Sequence, residues 1–174
     1  LDAEAFCRVV TAEKPRLIFL AWPNNPTGRL YGSPGVEEIL RTCNGRGCDA
    51  LVVVDEAYCH YSGETFLSKL GQYPNLVILR TLSKIGLAGI RLGMLIGSRA
   101  VVQEINKVRM PYNVNALSQA AARVVLRHPD VVRRHALAII QERERVLARL
   151  RELSGITIFS SRANFVLIRT DRPG

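Results

Sequence analysis

Residues 51–58 read Leu51-Val-Val-Val-Asp-Glu-Ala-Tyr58, an unbroken aliphatic run followed at once by two carboxylates. A strand with one wet face alternates apolar and polar residues, whereas an unbroken run suits a strand covered on both faces of a parallel sheet. Comparable runs occur at 16–21, 75–79 and 92–96, so four strands are predicted, at Arg16–Ala21, Ala50–Val54, Asn75–Leu79 and Leu92–Ile96. Between the first two, Ser33-Pro34-Gly35 leads into Val-Glu-Glu-Ile-Leu-Arg41, where proline in the first turn and acids just inside it mark a helix start. Strand and helix alternating in this way predict an α/β fold, a mostly parallel sheet sandwiched by helices.

Beyond Gly97 the pattern becomes helical. Helices are predicted over Ser98–Val108 and Ala116–Arg127, with the irregular link Met110-Pro-Tyr-Asn-Val-Asn115 between them. A long helix follows His128-Pro129 and runs to about Leu153, with Val132, Ala136, Ile139, Ile140, Leu147 and Leu150 near helical spacing. Two strands, Ile156–Phe159 and Asn164–Ile168, then open a smaller α+β unit. The start at Leu1-Asp2-Ala3-Glu4, without methionine, and the stop at Asp171-Arg-Pro-Gly174 make the chain read as an internal piece of something longer.

Composition narrows the classes. The chain has 174 residues, 48% of them hydrophobic and 22% charged, which is globular rather than disordered. Its net charge of +9 is spread among acids, as in Gln141-Glu-Arg-Glu-Arg145, and the arginine-rich stretch 123–134 contains His128-Pro129-Asp130 and no interleaved aromatic. No nucleic-acid partner is expected from that pattern. Cys7, Cys43, Cys48 and Cys59 are irregularly spaced, which argues against a disulfide framework and fits a reducing cytoplasm. Cys43 and Cys48 flank Asn44-Gly-Arg-Gly47, which offers no further metal ligand. No apolar run approaches the roughly 20 residues of a membrane span, so a soluble protein without a membrane partner is expected.

In open parallel sheets ligands gather outside the carboxyl ends of the strands. Three polar segments follow strand-like runs here: Trp22-Pro-Asn-Asn-Pro-Thr-Gly28, Asp55-Glu-Ala-Tyr58 and Arg80-Thr-Leu-Ser-Lys84. Each residue has a plain reading. Asp55 caps the segment after it, Asn25 makes a turn, Tyr58 packs and Lys84 points at water. Taken together they suit pyridoxal 5'-phosphate: Lys84 as the amine that forms a Schiff base, Asp55 for the ring nitrogen, Asn25 and Tyr58 for the ring oxygen, and Thr81, Ser83 and Arg91 for the phosphate. In this reading Lys84 is partly desolvated.

PNNPTG at 23–28, VVVDEAY at 52–58 and TLSK at 81–84 followed by GLAGIRLG resemble the class I/II aminotransferases of fold type I. Within that family, Pro111-Tyr-Asn-Val-Asn115 and Asn164-Phe-Val-Leu-Ile-Arg169 are similar to the histidinol-phosphate aminotransferases. The resemblance implies the same roles for Lys84, Asp55, Asn25, Tyr58, Thr81, Ser83 and Arg91, amino transfer between L-histidinol phosphate and 2-oxoglutarate, and a homodimer. It also implies that 1–128 form the second half of a large cofactor-binding domain and 129–174 the interdomain helix and the start of a small one. Other readings are an aromatic or broad-range aminotransferase, a pyridoxal-phosphate decarboxylase of a phosphorylated amino acid, and a non-catalytic fragment. The loop at Lys84-Ile85-Gly86 is one residue tighter than in many relatives, and Arg169 is not assigned to a substrate carboxylate.

Overall fold

The computed structural model describes residues 1–45 and 48–171, so residues 46–47 of the Asn44–Gly47 loop and the last three residues lie outside it. Helix α1 (Ala3–Glu13) starts where the Asp2 carboxylate accepts the Ala5 N–H at 2.9 Å. Strand β1 (Leu17–Ala21) and helix α2 (Ser33–Thr42) follow. Gly32 is the N-cap of α2, so Ser33 is already helical, and proline occupies the first turn. The short strands β2 (Asn44–Gly45) and β3 (Cys48–Asp49) pair with each other and lead into β4 (Leu51–Asp55). After the one-turn helix α3 (Cys59–Ser62) come β5 (Leu76–Thr81) and β6 (Gly93–Gly97).

The sheet order is β1-β4-β5-β6, with the first three strands parallel and β6 antiparallel to β5. All four predicted strands are present. Register aligns Ala21 with Asp55 and Asp55 with Leu79, so β1 and β4 end level with one another and β5 runs two residues further, to Thr81, on the same side. One sheet face, carrying Ile18, Leu20, Val52, Val54, Leu76 and Ile78, packs against Val10 of α1 and Val36, Ile39 and Leu40 of α2. Trp22 closes this core, edge-on to Phe66 at 4.7 Å, while its indole N–H donates to Tyr31 O at 2.8 Å. The opposite face is half open: Val53 and Val77 are buried, but Leu17, Phe19 and Leu95 are exposed.

Helices α4 (Arg99–Val108), α5 (Ala116–Arg127) and α6 (Pro129–Leu150) match the predicted segments, with α6 ending before Leu153. Strands β7 (Ile156–Ile158) and β8 (Ile168–Thr170) form a separate antiparallel pair. The strand predicted over Asn164–Ile168 therefore starts later, because the preceding residues are packed against the larger sheet's loops. Arg162 N–H donates to Gly28 O at 2.7 Å, Ala163 is fully buried, and Phe165 stands edge-on to Tyr58 at 5.1 Å. Among the described residues no helix is long and apolar enough to cross a membrane, and no group of three or more His, Cys, Asp or Glu could hold a metal ion.

Candidate active site

The carboxyl ends of β4 and β5 lie on the same side of the sheet and bring Asp55 and Thr81 to one crevice of about 510 Å³, which Lys84 also lines. That volume is in the usual range for a small-molecule site. Asp55 uses one carboxylate oxygen to accept the Ala57 N–H at 3.0 Å, so it caps the following turn while standing in the crevice wall. Tyr58, buried at the entry to α3, is joined to the β1 loop: the Asn25 amide donates to its hydroxyl at 3.1 Å. Lys84 completes the group, its Nζ lying 5.7 Å from the centre of the Tyr58 ring.

Lys84 belongs to a single 3₁₀ turn, Ser83–Ile85, ended by Gly86 at φ 92°. Its backbone carbonyl accepts the Tyr61 hydroxyl at 2.6 Å, which anchors the turn while the side chain stays exposed. The expectation of a partly desolvated amine is not met in this chain, because the sheet face beside it is half open. Thr81, Ser83 and Arg91 come together. Ser83 N–H donates to Thr81 Oγ1 at 3.0 Å, Arg91 reaches Ser83 Oγ at 3.5 Å, and the Thr81 hydroxyl donates to Leu92 O at 3.3 Å. Arg91 itself adopts φ 51° at the end of the β5–β6 connection. This cluster adjoins the crevice, and only Thr81 of the three lines it.

A carboxylate, a phenol with its amide partner, a primary amine and a hydroxyl pair with a guanidinium are the donors that pyridoxal phosphate requires. The residues present thus fit that group. The larger cavity of about 680 Å³, between α3, α5 and α6, contains neither Asp55 nor Lys84, and its walls are mainly apolar side chains such as Leu82, Ile85, Val132 and Ile140.

Sequence reading passed over two groups beside the site. Glu56, directly after Asp55, is 1% exposed and holds four hydrogen bonds: from Arg80 Nε at 3.0 Å and Nη2 at 2.7 Å, from the Thr65 hydroxyl at 2.9 Å, and from Phe66 N–H at 2.5 Å. An acid beside four aliphatic residues with no cation nearby in sequence was the available signal. His60 is the second. Burial, then the Arg80 guanidinium, pull its pKa below the ordinary histidine value, while Glu56 pushes the other way. Between those two pKa values the unfolded chain binds the extra proton, so stability is complete above about pH 6.5 and falls as pH drops from there toward the lowered value. Urea midpoints should therefore be lower at about pH 5.5 than at about pH 7.5, and His60→Gln should flatten that difference. Equal slopes in both proteins would show that His60 does not carry it.

The fold and site place an amine, a carboxylate and a cluster of two hydroxyls with a guanidinium at the strand ends of an α/β sheet. The family model for aminotransferase class I and II matches residues 1–173, and the chain belongs to that family. It is 44% identical to histidinol-phosphate aminotransferase 2 of Nitrosococcus oceani, over 98% of this chain and 46% of that protein. Among solved structures, the histidinol-phosphate aminotransferase of Clostridium acetobutylicum superposes with a TM-score of 0.89 at 25% identity, covering 99% of this chain and 52% of the other. That of Sinorhizobium meliloti, solved in complex with pyridoxal-5'-phosphate, gives a TM-score of 0.83 at 29% identity, over 98% of this chain and 47% of the other. The chain thus spans about half the length of the relatives it matches.

Proposed function

We propose that this chain supplies the cofactor site of a pyridoxal 5'-phosphate-dependent aminotransferase that moves the amino group of L-histidinol phosphate to 2-oxoglutarate, a step of histidine biosynthesis. The observation that carries the reading is the shared crevice of Asp55, Thr81 and Lys84, with the Asn25–Tyr58 pair alongside. The names of relatives above 40% identity supply the substrate. When bound, pyridoxal phosphate supplies a carbonyl carbon that accepts an amine and a ring that withdraws electron density from the substrate's α-carbon.

The chain's own residues do the rest. Asp55 holds a proton at the ring nitrogen by placing a negative charge beside it. Tyr58 and Asn25, already joined by a hydrogen bond, would hold the ring oxygen. Thr81, Ser83 and Arg91 grip the phosphate, which keeps the reacting carbon in register with Lys84. Lys84 Nζ, the primary amine at the crevice, would be the group that bonds the cofactor's carbonyl carbon and would carry the proton from the substrate's α-carbon.

Domain organisation belongs to the same proposal: residues 1–128 as the second half of the large domain, 129–174 as the linking helix and the beginning of the small one. The 22-residue α6 and the separate β7–β8 pair support that division. A homodimer is supported by the exposed run of Val108, Met110, Tyr112 and Leu117, which suits a second copy. A cytoplasmic location is supported by the four free cysteines.

The test is amino transfer itself. With pyridoxal phosphate and 2-oxoglutarate present, L-histidinol phosphate should generate glutamate faster than L-phenylalanine or L-tyrosine does. Equal or faster transfer from the aromatic amino acids would replace the substrate assignment, and no glutamate from any donor would remove the catalytic one.

A further inference from the structure

We infer that Glu56 and Arg80 form a positioning clasp for the cofactor site, holding Asp55 and Thr81 at a fixed separation from behind. The inference rests on the pyridoxal phosphate reading of the site. Successive residues of a strand face opposite sides, so Asp55 and Glu56 diverge, as do Thr81 and Arg80. Glu56 N–H donates to Leu79 O at 2.8 Å, which continues the β4–β5 register one step and sets Glu56 beside Arg80. Glu56 is thus covalently next to Asp55 and Arg80 next to Thr81, and Arg80 itself also borders the crevice.

The bond between them is well made. Arg80 grips one carboxylate oxygen of Glu56 through both Nε and Nη2 and also donates to Thr65 Oγ1 at 2.7 Å, while Phe66 N–H occupies the other oxygen. The Arg80 side chain is 19% exposed and that of Glu56 fully buried. A buried carboxylate satisfied on both oxygens has one geometry and little freedom to leave it. Strand ends are ordinarily where a sheet splays, since no further ladder bonds follow. Here the pair adds a side-chain tie just beyond the last β4–β5 ladder bond, Glu56 N–H to Leu79 O. It also neutralises Glu56, which would otherwise set a second negative charge one residue from Asp55.

Arg80→Lys keeps the charge and loses the two-pronged grip, and Glu56→Gln keeps the shape and loses the charge. In each, the dissociation constant for pyridoxal 5'-phosphate, measured by absorbance titration of folded protein, should rise about tenfold, the lower end of what outer partners of a bound group contribute. In an Asp55→Asn background the same substitutions should add less than about threefold, because the clasp acts through Asp55. Glu37→Gln, which breaks an ion pair with Lys69 at 3.1 Å elsewhere, should leave affinity unchanged.

Wild-type affinity in the folded variants, or full additivity with Asp55→Asn, would overturn the clasp. Should both variants fail to fold, Thr65→Val decides, since it removes one side bond of Glu56: a threefold or greater loss of affinity supports the inference and no loss overturns it. Failure of the unaltered chain to take up pyridoxal phosphate would instead bring down the cofactor reading, and the clasp with it.

Discussion

Lys84→Ala should leave no cofactor fixed to the chain when pyridoxal phosphate and borohydride are added, whereas the unaltered chain should retain it on the peptide containing Lys84. The expected effect is complete, because no other lysine is placed for the role. Lys69 pairs with Glu37 and Lys107 with Glu104, while Lys14 ends α1 in a left-handed conformation. Lys84 alone combines a free-swinging side chain with a backbone pinned by Tyr61, at the mouth of the crevice that holds Asp55. Being exposed, it can be removed with a stability change of about 0.5 kcal/mol or less, so loss of labelling cannot be put down to unfolding. Peptide mass mapping of both proteins reads the result. A retained label in Lys84→Ala, or a label spread over other lysines in the unaltered chain, would deny Lys84 its part.

Gly28→Val is expected to destabilise the fold by roughly 4 kcal/mol, from two causes each on the order of 1–3 kcal/mol. Gly28 has φ 69°, a conformation that a β-branched residue resists. A Cβ there would also overlap Ser161 Oγ and come within 2.8 Å of Ser161 Cβ. Neither neighbour gives way easily, since Gly28 O accepts the Arg162 N–H and Ser161 Oγ accepts the Ala163 N–H at 3.0 Å. Adding Ser161→Gly should recover the steric part and leave the backbone part, which separates the two causes in urea denaturation. A loss below about 1 kcal/mol would mean that the loop and the 161–165 segment part readily.

Much of the fold was legible because its determinants are local. Unbroken runs such as Leu51–Val54 name buried strands, and the polar residues after them name the site, because parallel strands of similar length end on the same side. Asn25, Asp55, Tyr58, Thr81, Ser83, Lys84 and Arg91 all lie in or beside one crevice for that reason. What escaped depends on contacts distant in sequence. Nothing in Arg80 foretells that it meets Glu56, 24 residues earlier. The run Asn164–Ile168 looks like a strand, yet Ala163 is fully buried and Phe165 is taken by Tyr58, which delays β8 to Ile168. Lys84 is exposed where a partly desolvated amine was expected, because exposure there is set by what covers the sheet and not by the turn that bears the lysine.

The opposed faces of β4 and β5 carry a consequence for how this protein can change. Asp55 and Thr81 face one way, Glu56 and Arg80 the other. Inserting or deleting a single residue in either strand would exchange those partners, turning a buried acid toward the cofactor side and a crevice acid into the interior. Substitution can be absorbed at several of these positions; a change of length cannot. In descendants of this sequence, the spacing from Leu51 to Asp55 and from Leu76 to Thr81 should be kept even where the aliphatic residues between them drift, and insertions should collect in the connecting loops instead.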